Sequence, residues 1–355
     1  MELNDRKNTV PVPEHRAFTP YAFPHLKLPG RMVRSATELF RSEKDGRVSE
    51  FEVQRYREYA ARPYGLVISA HTCVMPEGRT NLGQNAVWDD GFCEGEAQLA
   101  AAVHDSSFGT KTLMQLGHGG TKAKGYGGRR IFSPDTMSLS DIHETVACFG
   151  RAALRARRCG FDGVQIHGAH GYLLSEFFYP EINSRTDAYG RDAAGRFRII
   201  REIAEEIKLT CGASFPVFLK LNCTDRTGSE DYFRDVVTAL SICKDCGIEA
   251  VELSGYHSAL PGIAQKPVFL ETARRLHGFS PVDLMLVSGI RTRADVEAAF
   301  DAGMATVSFS RPLIADPDFI TRIFTPDTPP AVCFGCGQCY KDGCCHAKGR
   351  ERTTI

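Results

Sequence analysis

Short apolar runs alternate with longer amphipathic segments from about residue 30 to residue 315. The short runs are typical of buried strands, and the longer segments, with apolar residues every three or four positions, are typical of helices packed on one face. The predicted strands are Arg31–Thr37, Gly65–Ala70, Lys111–Leu116, Val164–Ile166, Pro216–Asn222, Ala250–Ser254, Leu284–Gly289 and Thr306–Ser310. The predicted helices are Glu52–Arg62, Glu94–Asp105, Asp141–Cys159, Arg196–Lys208, Asp231–Asp245 and Arg293–Ala302.

Eight strands that alternate with helices predict an α/β fold, a (β/α)8 TIM barrel. A doubly wound open sheet is the alternative, but it would need a glycine fingerprint after the first strand, and none is present there. We predict an N-terminal extension over residues 1–27, the barrel over 28–325 and a short cysteine-rich tail over 326–355.

Charge and composition narrow the class of protein. The chain has 43 basic and 43 acidic residues, which argues against nucleic-acid or anionic-membrane partners. No apolar run approaches the roughly 20 residues of a membrane helix, and the polar N-terminus has no apolar signal core. Eight of the thirteen cysteines are scattered through residues 73–246, where helix-like and strand-like segments alternate, which indicates reduced, buried thiols. We therefore expect a cytoplasmic protein.

Polar residues stand at or just beyond the ends of the predicted strands. A barrel brings the carboxyl ends of its strands to one face, where its active site is built. His167, His170 and Tyr172 follow the fourth strand among glycines that allow a sharp turn. The other residues at strand ends are Thr37, Ala70, Gln115, Lys220, Ser254, Ser288 and Ser310.

The last two strand ends suggest a phosphate site. Ser288-Gly289 offers backbone N–H groups at a turn, and Ser310-Arg311 adds a hydroxyl and a cation. Either pair alone would be explained more simply as a turn glycine or a surface cation. Because the two pairs follow successive strands, phosphate binding is the better interpretation.

Several motifs in the same order resemble the Old Yellow Enzyme family of FMN-dependent ene reductases, especially the branch with dienoyl-CoA reductases and trimethylamine dehydrogenase. The most specific motif spans His167 to Gly190 and reads HGAHGYLLSEFFYPEINSRTDAYG. Supporting motifs are Arg34–Thr37, Gln115–His118, Ser288–Arg291 and Ser310–Pro317. The resemblance covers about residues 28–339.

The resemblance implies roles for individual residues. His167 and His170 would bind the substrate carbonyl, and Tyr172 would supply a proton. The implied FMN contacts are Ser35, Ala36, Thr37 and Ala70 at the isoalloxazine, Gln115 at the pyrimidine edge, Lys220 near N1 and the C2 carbonyl, and Ser288, Gly289, Ser310 and Arg311 at the phosphate.

Physical chemistry agrees with these roles. Hydride addition to an α,β-unsaturated carbonyl leaves charge on its oxygen, which two imidazole N–H groups would stabilise. Tyr172 would act as the general acid, and a cation at Lys220 would favour the reduced flavin. Other interpretations remain open: a metal pair at the histidines, purely structural histidines, a packing role for Tyr172, or an ion pair at Lys220.

The predicted tail holds a cysteine cluster, Cys333, Cys336, Cys339 and Cys345, next to Cys344. This spacing favours a [4Fe–4S] or zinc site. In the branch resembled, such a cluster links FMN to a second flavin domain, but here the spacing to the fourth cysteine is shorter and the chain ends at Ile355. A cluster would then need an external redox partner. A remnant with free thiols is the alternative.

We therefore expect FMN-dependent reduction of the C=C bond of an enone or enoate with NAD(P)H. The alternatives are an amine demethylase, whose aromatic pocket would use Tyr21, Tyr256 or Phe178, and a non-catalytic electron-transfer flavoprotein. The loops at 126–133 and 256–266 are expected to determine specificity. The oligomeric state and the preferred nicotinamide are left open.

Overall fold

The fold is a closed parallel barrel. The computed structural model describes residues 12–255, 267–340 and 345–346. The strands in chain order are β1 (Tyr21–Ala22), β2 (Lys27–Leu28), β3 (Met32–Arg34), β4 (Leu66–Ile68), β5 (Thr72–Cys73), β6 (Lys111–Gly117), β7 (Gly163–Gly168), β8 (Val217–Asn222), β9 (Ala250–Ser254), β10 (Asp283–Val287) and β11 (Thr306–Phe309). Strands β3, β4 and β6 to β11 pair in parallel, and pairing of β4 with β6 and of β11 with β3 closes the ring. The predicted TIM barrel is confirmed.

Helices alternate with the strands and cover the outside of the barrel. They are α1 (Glu50–Ala60), α2 (Cys93–His104), α3 (Leu139–Arg158), α4 (Leu173–Phe178), α5 (Ala193–Cys211), α6 (Glu230–Asp245), α7 (Leu270–His277), α8 (Arg293–Asp301), α9 (Arg311–Ala315) and α10 (Phe319–Arg322). All six predicted helices are present, with ends shifted by at most three residues. The sequence pattern missed α4, α7, α9 and α10, which are too short for a clear helical period.

Most strand residues are apolar because both faces of each strand are buried. Leu66 and Ile68 of β4 point into the barrel, where they pack with Phe218 and Met285. Val67, between them, points outward into the larger core that the strands share with the helices. This explains why most strand residues in the sequence form continuous apolar runs rather than alternating patterns.

A hairpin formed by β1 and β2 covers the N-terminal end of the barrel. Phe23 and Leu26 lie in its turn and belong to the same buried cluster as the inner strand residues. The Phe23 ring meets the Phe218 ring edge-on, with 4.8 Å between centroids. The described residues ahead of the barrel are therefore packed against it, while the domain boundaries at residues 27 and 325 stay predictions.

The described helices are too short or too polar to cross a membrane. Across these residues, no helix combines the length and the apolar character that crossing a bilayer requires.

Candidate active site

A cavity of about 290 Å³ lies at the carboxyl ends of the barrel strands. It collects residues that are far apart in sequence because parallel strands end at one face of a barrel. The predicted site residues that line it are Ala36, Thr37, Gln115, His167, His170, Tyr172, Lys220, Ser288, Gly289, Ser310 and Arg311.

The end of β7 determines where the histidines lie. His167 is the last side chain of the strand, since Gly168 follows it, and His170 stands beyond it with a positive φ of 64°. The backbone N–H of His170 donates to Oδ1 of Asn222, at the end of β8, over 3.1 Å. This bond and Gly171, with φ 69°, turn the chain so that both imidazoles face the cavity, 5.1 Å apart between centroids.

Both imidazoles are neutral near pH 7. Burial lowers the pKa of His167 well below its ordinary value, and the neighbouring His71 and His170 add to the effect. Burial also lowers the pKa of His170, and the charge of Lys220 acts in the same direction. Nδ1 of His167 accepts from the N–H of Ala169, so its single proton lies on Nε2. A neutral imidazole of this kind donates one hydrogen bond to a ligand oxygen.

Tyr172 stands beside these imidazoles, immediately before α4. Its ring centroid is 5.0 Å from that of His167, and Nζ of Lys122 lies 5.0 Å above the ring. Lys122 also donates to the carbonyl oxygen of His170. The phenol, both imidazoles and one ammonium group therefore share one wall of the cavity.

A buried polar network crosses the barrel beneath this wall. Lys220 is in register with His167 on one side and Glu252 on the other, and its Nζ lies 2.8 Å from both Oε2 of Glu252 and Oγ of Ser35. Although burial alone would raise the pKa of Glu252, the charge and hydrogen bond of Lys220 hold that pKa below its ordinary value. The predicted cation at Lys220 is thus paired in the barrel interior.

The network continues to Gln115. Its Nε2 donates to Oε1 of Gln165 over 2.7 Å, and Nε2 of Gln165 donates to Glu252 over 3.2 Å. Because Glu252 faces both Lys220 and Gln165, it fixes the orientation of two residues that line or support the cavity. The pattern of strand ends does not select Glu252, although a carboxylate inside a buried strand is a signal that it has a charged partner.

The phosphate end of the cavity lies where β10 and β11 end. Ser288 and Gly289 have positive φ angles of 98° and 76°, and Oγ of Ser288 is buried with no hydrogen-bond partner among the described residues. Oγ of Ser310 lies 2.8 Å from Oγ1 of Thr37, and Arg311 borders the same end. An unsatisfied buried hydroxyl beside a guanidinium suits a phosphate, so the residues present fit FMN.

Two predicted cofactor residues do not line the cavity. Ser35 lies behind it as a partner of Lys220, and Ala70 is buried with its N–H donating to the Tyr56 hydroxyl over 2.8 Å. Their contact with a flavin stays a prediction. His71 and Glu38, which the sequence analysis did not select, do line the cavity. Each is the neighbour of a selected residue, so the strand ends were located to within one position.

The tail cysteines lie next to the phosphate end. Cys333 and Cys339 line the main cavity, and Cys336 and Cys345 line a smaller one beside Arg311. All four are free thiols. Within residues 12–255, 267–340 and 345–346, no group of three or more side chains is arranged to hold a metal ion. The [4Fe–4S] prediction is therefore not supported.

The aromatic residues expected for an amine pocket lie elsewhere. Tyr21 is at the opposite end of the barrel, where its hydroxyl donates to Asp283 over 2.8 Å. Phe178 is buried in α4 against Phe197 and Tyr232. Tyr256 and the rest of the 256–266 loop fall outside the described residues.

Comparison with known proteins of related sequence supports the interpretation of this cavity as a flavin site. Residues 16–325 match the model of the NADH:flavin oxidoreductase / NADH oxidase family. An NADPH dehydrogenase of Halalkalibacterium halodurans is 34% identical over 251 residues, 68% of this chain and 73% of the relative. An NADPH dehydrogenase of Bacillus licheniformis is 33% identical over 252 residues, 67% and 73% of the two chains.

Solved structures support the fold. An old yellow enzyme homologue of Zymomonas mobilis superposes with a TM-score of 0.75 at 24% identity, covering 87% of this chain and 92% of its own. A 2-naphthoyl-CoA reductase in complex with 2-naphthoyl-CoA superposes with a TM-score of 0.82 at 22% identity, covering 92% and 56%. From the family match and the site geometry, we conclude that the chain belongs to the NADH:flavin oxidoreductase / NADH oxidase family, that of the Old Yellow Enzymes, and is an FMN-dependent NAD(P)H oxidoreductase.

Proposed function

We propose that the enzyme uses NAD(P)H to reduce the C=C bond of an α,β-unsaturated carbonyl compound, an enone or enoate. The observation that carries the proposal is the pairing of two neutral imidazoles, His167 and His170, with Tyr172 on one wall of the cavity. Two hydrogen-bond donors beside a phenol are suited to a carbonyl oxygen and a neighbouring carbon that needs a proton.

The protein residues have separate tasks in this reaction. FMN, when bound, supplies the hydride chemistry between the nicotinamide and the substrate. His167 and His170 bind the carbonyl oxygen and stabilise the negative charge that develops on it. Tyr172 delivers a proton to the α-carbon, which completes the saturated product.

The supporting residues hold the cofactor and balance its charge. We assign the phosphate to Ser288, Gly289, Ser310 and Arg311, since they combine a guanidinium with a buried hydroxyl that no described residue satisfies. Lys220 would lie at the anionic edge of the reduced ring, and Glu252 keeps that ammonium in place. Gln115 would bind the pyrimidine edge through its amide.

The two alternatives have less support. An amine demethylase needs an aromatic environment for a cation, but the ammonium of Lys122 and the guanidinium of Arg311 line this cavity and disfavour one. A non-catalytic electron-transfer protein has no use for two donors and a phenol placed together. Reduction of an activated C=C bond is therefore the function that the cavity favours.

The first test is an anaerobic visible absorption spectrum of the purified protein before and after addition of NADPH or NADH. We expect flavin bands that bleach with the nicotinamide and return when a simple enone such as 2-cyclohexenone is added. Bleaching without return would count against ene reduction and leave the oxidoreductase class intact.

Changing Tyr172 to Phe tests the proton donor. We expect flavin reoxidation by the enone to slow by roughly a hundredfold, because a positioned general acid contributes about that much or more. Flavin reduction by NADPH should keep its rate. Stopped-flow absorbance measures both steps, and an equal loss in both would show that Tyr172 is not the donor.

The tail cluster stays a proposal of lower rank. Cys333, Cys336, Cys339 and Cys345 lie close to the phosphate end, but their positions do not form a metal site in the described structure. Iron and zinc analysis of anaerobically purified protein decides between a cluster with an external redox partner, zinc, and free thiols. The cytoplasmic location also stays a prediction.

A further inference from the structure

His71 is an additional histidine on the cavity wall that has no role in the function proposed above. It follows β4 and is 5% exposed. Its ring centroid lies 5.0 Å from that of His167 and 4.7 Å from that of Tyr172. His71 therefore contacts both a proposed carbonyl-binding residue and the proposed proton donor.

The orientation of His71 is fixed from behind by Gln84. Oε1 of Gln84 accepts from N and Oγ1 of Thr80 over 2.8 and 2.9 Å, so the amide NH₂ of Gln84 must face the other way. That NH₂ lies 3.1 Å from the carbonyl oxygen of His71 and 3.3 Å from its Nδ1. Since an NH₂ group only donates, Nδ1 accepts and the ring proton lies on Nε2.

Besides His167, Tyr172 and Gln84, the His71 ring is bordered by Gly117 at the end of β6. A Cβ at position 117 would lie 2.1 Å from Nε2 of His71 and 3.2 Å from Cβ of His167. Only glycine leaves room here for the imidazole. Burial also lowers the pKa of His71 to about 4, so the ring is neutral at physiological pH. The ring thus has one packing position and one charge state.

The backbone alone does not set the orientation of the Tyr172 ring. The Tyr172 N–H donates to the carbonyl of Ala169 over 3.3 Å, which fixes the main chain but does not by itself set the χ1 and χ2 angles of the side chain. His71 and His167, whose own ring centroids are 5.0 Å apart, pack against the Tyr172 ring from adjacent directions, and Nζ of Lys122 lies over the ring. These contacts restrict the side-chain angles. Proton transfer to a carbon depends steeply on such alignment.

We propose that His71 is a positioning residue of this enzyme, which holds the Tyr172 ring against His167 in the orientation needed to protonate the substrate. The proposal rests on the proposed function for its kinetic consequence. The ring contact itself does not depend on that function and is tested separately.

The first test measures the contact without any catalysis. Urea unfolding of flavin-free protein is compared for the wild type, His71→Ala, Tyr172→Ala and the double variant. We expect the double variant to lose clearly less stability than the sum of the two single losses, because the contact can be lost only once. Additive losses would overturn the proposal whatever the enzyme reduces.

The second test measures the kinetic consequence by stopped flow. We expect His71→Ala to slow flavin reoxidation by 2-cyclohexenone roughly tenfold to a hundredfold, with flavin reduction by NADPH unchanged. His71→Phe keeps a ring of similar width and should recover most of the rate. In a Tyr172→Phe background, His71→Ala should have little further effect.

His118 supplies a matched control. It is also a buried imidazole with a lowered pKa, about 3 because of burial and His71, but it stacks on Phe132 and does not line the cavity. His118→Ala should leave the ratio of the two half-reaction rates unchanged. The positioning role is overturned if His71→Ala slows both half-reactions equally, if His71→Phe recovers nothing, or if His118→Ala changes the ratio in the same way.

A wild type that is reduced by NADPH but not reoxidised by the enone would instead overturn the proposed function, and the unfolding cycle would still decide the contact.

Discussion

At the scale of single residues, the site depends on one buried ion pair, between Lys220 and Glu252. Lys220 and Glu252 face each other inside the barrel with 2.8 Å between Nζ and Oε2, and neither side chain is more than 4% exposed. A buried pair of this kind adds little net stability compared with apolar residues, but removal of one partner leaves the other charge uncompensated. The pair therefore fixes the position of a cation beneath the cavity.

Glu252→Gln tests this view of the pair. We expect the free energy of unfolding, measured by urea denaturation, to fall by about 3 kcal/mol, because the ammonium of Lys220 stays buried without its counter-charge. The matched control is Glu205→Gln, which breaks the exposed i,i+4 pair with Arg201 and should cost less than about 1 kcal/mol. Equal effects of the two substitutions would contradict the assignment.

The sequence indicated many of these residues but not their partners. The sequence places His167, His170, Tyr172, Lys220 and Arg311 at or just beyond the ends of strands, and the barrel does bring them together. Glu252 and His71 were missed. Glu252 is important because it pairs with Lys220 across neighbouring strands, and His71 because Gly117 leaves room for its ring. Neither feature is visible along one segment of the chain.

At the scale of elements, the barrel needs closure at the end away from the site. The β1–β2 hairpin provides it, and Phe23 reaches the inner cluster that contains Phe218 and Met285. The sequence predicts only an extension over residues 1–27, since strands of two residues show no period. The longer strands and helices were predictable because their apolar patterns span whole elements.

Phe23→Ala tests the hairpin as a structural element. We expect a loss of about 3 to 4 kcal/mol in the free energy of unfolding, because removal of the buried phenyl ring leaves a cavity that the barrel interior cannot close. Leu209→Ala on α5 is the control, since Leu209 is 81% exposed and should change stability by less than about 0.5 kcal/mol. FMN affinity should be the same in both variants, because the hairpin is at the other end of the barrel. A loss of flavin with Phe23→Ala would show instead that the two ends are coupled.

At the scale of the whole molecule, the cavity is built by the barrel and completed by the tail. Cys333 and Cys339 border it beside Arg311, although they are far from the strand ends in sequence. The chain is anchored just before them, since the N–H of Ala331 donates to the carbonyl of Arg291 over 2.8 Å and Arg291 donates back to the carbonyl of Ala331 over 2.6 Å. From the sequence, the tail is predicted to hold a cluster, zinc or free thiols, and its place in the cavity wall is not predicted.

This arrangement predicts the result of a truncation after residue 332. The shortened chain keeps the Ala331–Arg291 bonds and should unfold at a similar urea concentration. Its affinity for FMN should fall by about tenfold, because water then reaches Arg311 and weakens its attraction for the phosphate. Titration of flavin-free protein, followed by FMN fluorescence, measures the change. The Cys333→Ser/Cys339→Ser variant separates two possible roles of the tail. If the tail acts only as part of the cavity wall, this variant binds FMN as the wild type does. The same tenfold loss would indicate that the thiols themselves, or a metal that they hold, support the flavin site.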